Sequence, residues 1–150
     1  MAGMKLTIVN SAEVALAAAT AKTVIQYKGL AGSPFVFRGG TISFDGVTAT
    51  DAPVVVSLVR TAGDGTGTTI ATPTNEHEAV TYTALGIAKE NFTVEPATVK
   101  SLGAWEIHPQ GGGIIYELPI TDPIVCTTAI AIKCTSPANV NCISFIKIEE

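Results

Sequence analysis

Charge is scarce in this chain. Lys, Arg, Asp and Glu make up 15% of its 150 residues, against about 25% in an ordinary soluble domain. Neutral polar and apolar groups must therefore form much of its surface. Nine basic residues face thirteen acidic ones, for a net charge of −4. No basic cluster forms, which excludes the phosphate-neutralising surface of a nucleic-acid binder. Long apolar runs are also missing. Hydrophobic residues reach 47% and mean hydropathy is +0.39, yet no stretch approaches the roughly 20 residues needed to span a bilayer. Near the start, Asn10, Ser11 and Glu13 interrupt the apolar run that a secretory signal needs.

Cysteine and histidine are equally sparse. The three cysteines, Cys126, Cys134 and Cys142, form no paired framework and no Cys-x-x-Cys motif. That excludes a disulfide scaffold and argues against structural zinc. Buried thiols of a chain folded in a reducing cytoplasm are the expectation. The two histidines, His77 and His108, give at most a thin metal reading: Glu76, His77 and Glu78 with His108 converging. Gly63-Asp64-Gly65-Thr66-Gly67 lacks the Lys-Ser/Thr ending of a phosphate loop, and Gly111-Gly112-Gly113 runs into a strand. No serine sits in a nucleophile setting, the carboxylates are scattered, and Cys134 and Cys142 lie in apolar strands. The chain reads as non-enzymatic, with no cofactor and no metal.

What is present is a succession of short β-prone segments. At 150 residues the chain can bury one sizeable core. Residues 23–150 read as a single β-sandwich domain, and residues 1–22 as an N-terminal arm or short helix packed on it. The helical reading rests on Asn10-Ser11-Ala12-Glu13, which has the form of a capping box, before alanine-rich Val14 to Ala21. Strands follow at 23–27, at 35–38 and 41–44 as one longer strand with a bulge or sharp bend at Gly39-Gly40, at 53–60, and at 68–72. A weaker one follows at 80–83. In Val99 to His108, alternation sets Val99, Ser101, Gly103, Trp105 and Ile107 on one face. That favours Trp105 and Tyr116 as core residues over an outward sugar-stacking platform. Residues 128–134 and 140–148 read as a hairpin across Thr135-Ser136-Pro137-Ala138-Asn139. The last strand is apolar on both faces: Cys142, Ile146 and Ile148 on one, Ile143 and Phe145 on the other. A strand apolar on both faces suits a central position or a subunit interface. Eight or nine strands with turns every 8–12 residues predict a sandwich or barrel.

Four blocks carry a resemblance: Ala17 to Gln26; Phe44-Asp45-Gly46 with Pro53 to Arg60; Trp105 to Gly111; and Thr135 to Cys142 with Ile146 to Glu150. In order and texture the chain resembles head decoration, or cement, proteins of tailed bacteriophages. The resemblance implies a jelly-roll-like β-sandwich, a homo-oligomer (a trimer), and binding to the major capsid protein on the virion surface after assembly in the bacterial cytoplasm. It implies no nucleic-acid or membrane partner and no catalytic residues. The alternative is a receptor- or glycan-binding module of a phage fibre or tail. Met4 to Val9, apolar and β-prone, reads as an edge strand of its own domain or as a strand that pairs with a neighbour, and the expected partner contacts are its residues Met4, Leu6, Ile8 and Val9, with Phe35 and Phe37.

Overall fold

Strand-forming residues dominate the chain, and the computed structural model, which describes residues 3–45, 52–62, 65–71, 73–76, 81–119 and 121–150, is built almost wholly of strands. They are β1 (Lys5–Val9), β2 (Val14–Leu16), β3 (Ala21–Lys28), β4 (Phe35–Asp45), β5 (Val54–Ala62), β6 (Thr66–Thr69), β7 (Thr74–Asn75), β8 (Ile87–Val94), β9 (Ala97–Ile107), β10 (Gly113–Glu117), β11 (Ile124–Cys126), β12 (Ala129–Thr135) and β13 (Val140–Glu149). One seven-stranded sheet runs β10-β4-β13-β1-β7, with β11 beside β4 and β2 beside β13. A six-stranded sheet runs β6-β8-β3-β12-β5-β9. All the ladders are antiparallel. The two sheets pack face to face over one core, the all-β sandwich expected from the strand pattern.

Alternation explains which side chains fill that core. From the seven-stranded sheet come Leu6 and Ile8, Phe35 and Phe37, Ile42 and Phe44, and Cys142, Ile146 and Ile148. From the other sheet come Ile25 and Tyr27, Val54, Val56 and Leu58, and Ile130, Ile132 and Cys134. The bend expected at Gly39-Gly40 is a bulge in the single strand β4. Lys147 pairs with Gly39 and Ile148 with Phe37, so Arg38 is the extra residue. A side chain at Gly39 would stand 2.5 Å from the Tyr116 carbonyl oxygen, which leaves room for glycine alone.

The helix, the hairpin and the alternation of β9 differ from expectation, each for a physical reason. Residues 10–21 form no helix. Val14 and Leu16 are two apart, both are buried, and they pair with Cys142 and Val140. Neighbouring strands thus impose period 2 on a sequence whose capping box suggested period 3.6. Lys5–Val9 of the arm is a strand of the domain itself, β1, and it lies inside the sheet between β13 and β7 rather than at its edge. The hairpin of 128–134 with 140–148 does not exist: β12 lies between β3 and β5, and β13 lies in the opposite sheet. Residues 136–139 cross the gap between sheets, which is about 10 Å in a sandwich. Ser136, fully buried, anchors the crossing. Its hydroxyl donates to the Ala138 carbonyl at 2.5 Å, and its own carbonyl accepts from the Ala19 N–H at 2.7 Å.

The third failure is in β9. Register shifts at Leu58/Val59 and Arg60/Thr61 leave Leu102 and Val99 as extra residues. Beyond the first bulge the faces exchange. Trp105 and Ile107 point inward as expected, but Leu102 packs on the core while Val99 is 66% exposed. In the weak strand expected at 80–83, residues 81–83 are irregular, and Val80 lies outside the described residues.

Candidate functional site

The expected contact residues divide sharply. Leu6, Ile8, Phe35 and Phe37 are buried in the core, so they are not free to meet a partner. They fail as contacts because each sits at an inward position of a strand that pairs on both sides. Met4 is half-buried, its N–H and C=O exchanging hydrogen bonds with Glu150 at 2.8 and 3.0 Å. Val9 alone is exposed, at 42%.

Val9 belongs to a row that register assembles on the outer face of the seven-stranded sheet. Ile115 of β10 pairs with Thr41 of β4, Thr41 with Phe145 of β13, and Phe145 with Val9 of β1. At about 4.8 Å between strands the row spans roughly 15 Å. Ile115 is 73% exposed, and Ile143, one step along β13, is 41% exposed. Phe145 and Thr41 are half-buried. The apolar second face of the last strand already pointed to Ile143 and Phe145. Ile115 lies 28 positions before Ile143 in the sequence, and only strand pairing brings it alongside.

A charged row borders this apolar one. The Lys147 ammonium lies 3.9 Å from Glu117 and 6.0 Å above the Phe145 ring. Arg38 donates to Glu149 through Nε at 2.8 Å and Nη2 at 2.5 Å, and the Gly3 N–H donates to the same carboxylate at 2.9 Å. The Arg38 hydrogen bonds, with help from Gly3, hold the Glu149 carboxyl below the usual carboxylate range. With Lys5 and Glu76 these groups line a shallow basin of about 370 Å³.

Other polar clusters serve the fold. The buried Glu90 carboxylate accepts from Asn10 Nδ2 at 3.0 Å, from the Ser11 N–H at 2.8 Å and from the Ser11 hydroxyl. The Glu150 carboxylate accepts from the Tyr27 hydroxyl, from the Tyr82 hydroxyl at 2.9 Å and from the Leu85 N–H at 2.9 Å. Burial, then the hydrogen bond to Glu150, raises the ionisation of both tyrosines above the ordinary value. All three thiols are buried and free. Burial raises Cys134 well above its usual range and pushes Cys142 up to about 12, so both are poor nucleophiles.

Trp105 and Tyr116 face each other across the gap between the sheets, with ring centroids 4.9 Å apart. Beneath them an apolar cavity of about 20 Å³, lined also by Phe37, Leu58, Ile114 and Ile132, has room for a single water-sized sphere. His108 uses Nδ1 to accept from the Gln110 N–H at 3.2 Å, closing the turn before β10, while His77 and Glu78 lie outside the described residues. Among the described residues no three of His, Cys, Asp and Glu gather as metal ligands, and no helix is long and apolar enough to cross a membrane. Comparison with protein-family models, curated proteins and solved structures returned no match to this chain.

Proposed function

We propose that this protein is a non-enzymatic structural subunit of a virion that decorates and stabilises a phage capsid by binding across neighbouring copies of the major capsid protein. The observation that carries the reading is the row Ile115–Thr41–Phe145–Val9 with Ile143, on the outer face of the seven-stranded sheet, in which Ile115, Val9 and Ile143 are exposed. Exposed apolar side chains gathered on one rigid face are the form of a protein-binding surface. A sheet holds them in fixed register, so docking orders little new structure. The bordering Lys147, Glu117, Arg38 and Glu149 form a polar rim that orients a partner. Clamping then follows from placement: one face seated across two shell subunits opposes their separation. The alternative of a glycan-binding module has less support, because the half-buried Trp105 and Tyr116 pack against each other, tilted by 53°, rather than offering one flat outward platform.

Co-sedimentation with shells assembled from phage major capsid protein tests this reading. The expected result is saturable binding that is abolished by Ile115→Lys combined with Val9→Lys. Both positions are exposed, so the fold survives. Absence of binding by the unaltered protein would refute it.

A further inference from the structure

The strand β9 ends the six-stranded sheet and, among the described residues, pairs only with β5. At eleven residues it is a long edge, and an unprotected edge is a template for another strand. Its two halves differ. From Ala97 to Leu102 it carries two bulges with Lys100 between them, features that stop an edge from recruiting a strand. From Gly103 to Ile107 it runs in unbroken register against Leu58 to Val54. Alternate residues there aim N–H and C=O groups away from β5.

We infer that Gly103–Ile107 is a self-pairing site, at which two copies of this chain join antiparallel about a two-fold axis through Trp105. Side-chain fit and charge make the segment self-complementary in this register. Gly103, Trp105 and Ile107 share the inner face with Leu58, Val56 and Val54, while Ala104 and Glu106 point outward. With the axis at Trp105, Gly103 opposes the second copy's Ile107, and Ala104 opposes its Glu106. Each of these flanking pairs sets a small side chain against a large one. Glu106 is the only charge in the segment, and it meets a methyl group. Centring on Glu106 would set two carboxylates opposite each other. Centring on Ala104 would draw the Leu102 bulge into the ladder. Among these alternatives only the Trp105 register escapes both penalties.

The neighbourhood fits this pairing. Among the described residues β10 ends the seven-stranded sheet on the same side of the sandwich, and the Trp105–Tyr116 pair bridges the gap between the two edges. The second copy's Trp105 would extend that bridge. A two-fold axis normal to the sheet keeps like faces on one side. Both apolar rows would then point the same way, and the pair would present two docking faces to one surface.

Sedimentation equilibrium from micromolar to millimolar protein tests the inference. The expected result is a reversible dimer of twice 15.4 kDa; the trimer that the resemblance implies would overturn the inference. Ala104→Glu places a carboxylate opposite Glu106 at two symmetric positions and should weaken the dimer by about tenfold or more. Ala104→Glu with Glu106→Lys should restore it. Both positions are exposed, and circular dichroism checks that the monomer fold is kept. A monomer throughout the range, an Ala104→Glu dimer of unchanged strength, or a double variant that does not recover would each overturn the inference. None of these readouts involves capsid, so this inference and the decoration reading can fail separately.

Discussion

Asn10, the residue after β1, ties three other strands together through one side chain. Its Oδ1 accepts from the Ser144 N–H at 2.7 Å, and its Nδ2 donates to the Val24 carbonyl at 3.2 Å and to Glu90 at 3.0 Å. The residue is buried, so losing it would strand a backbone donor and part of a carboxylate away from water. Asn10→Ala should cost about 3 kcal/mol, read as a lowered urea midpoint with unchanged slope. The thiols offer a second test at this scale. Because all three are buried and Cys134 and Cys142 ionise only far above neutrality, the folded protein should react with a thiol reagent only as fast as it opens. A rapid reaction of one equivalent in native buffer would contradict that placement. Residue identity alone showed that Asn10 favours a cap-like role. It gave no hint that the carboxylate answering it is Glu90, eighty positions away, rather than Glu13.

For the elements, bulges and crossings matter more than propensity. Regular alternation in β9 would put Val99 inside, but the extra residue Leu102 exchanges the faces. Leu102→Ala should therefore cost about 2 kcal/mol, and Val99→Ala less than about 0.5 kcal/mol. Thermal melts of the two variants, compared side by side, decide between this register and an unbroken one. The β12–β13 connection teaches the same lesson. Two apolar strands joined by a short turn-rich segment read equally well as a hairpin or as a crossing between sheets. What selects the crossing is that each strand finds two longer ladders elsewhere: β12 with β3 and β5, β13 with β4 and β1. Strand existence was legible along most of the chain because alternation is local. Pairing was not, because no two consecutive strands are neighbours in either sheet among the described residues.

At the scale of the whole molecule, the first and last strands, β1 and β13, are both structural. Leu6 and Ile8 are fully buried in β1, which seals β13 on one side. Removing residues 1–9 should abolish the cooperative fold rather than trim a free arm, as a loss of the unfolding transition would show. Glu149 and the buried Tyr27 set the pH limits. Glu149 ionises below its ordinary 4.5 when folded, so its contribution is present above that value and is lost as pH falls through the depressed one. Tyr27 ionises above its ordinary 10.0 when folded. Its contribution is full below about pH 10 and is lost as pH rises further. Stability measured by urea unfolding should thus fall at both extremes, and Tyr27→Phe should flatten the alkaline limb. An unchanged alkaline limb in that variant would locate the loss elsewhere.

By itself the sequence determined the class of the fold. Period-2 patterning, β-branched residues and frequent turns admit only a layered β structure, and those signals act between near neighbours. It also determined the thin charge, which requires that some of the surface be apolar. Where that apolar surface lies was decided by tertiary structure alone. Strands distant in sequence had to pair before Ile115, Phe145 and Val9 could form one row and before the intact half of β9 could stand at an edge. The same pairing drew Leu6, Ile8, Phe35 and Phe37 inside. Side-chain type marks a residue as adhesive, but only the register of its neighbours settles whether it meets the core or a partner.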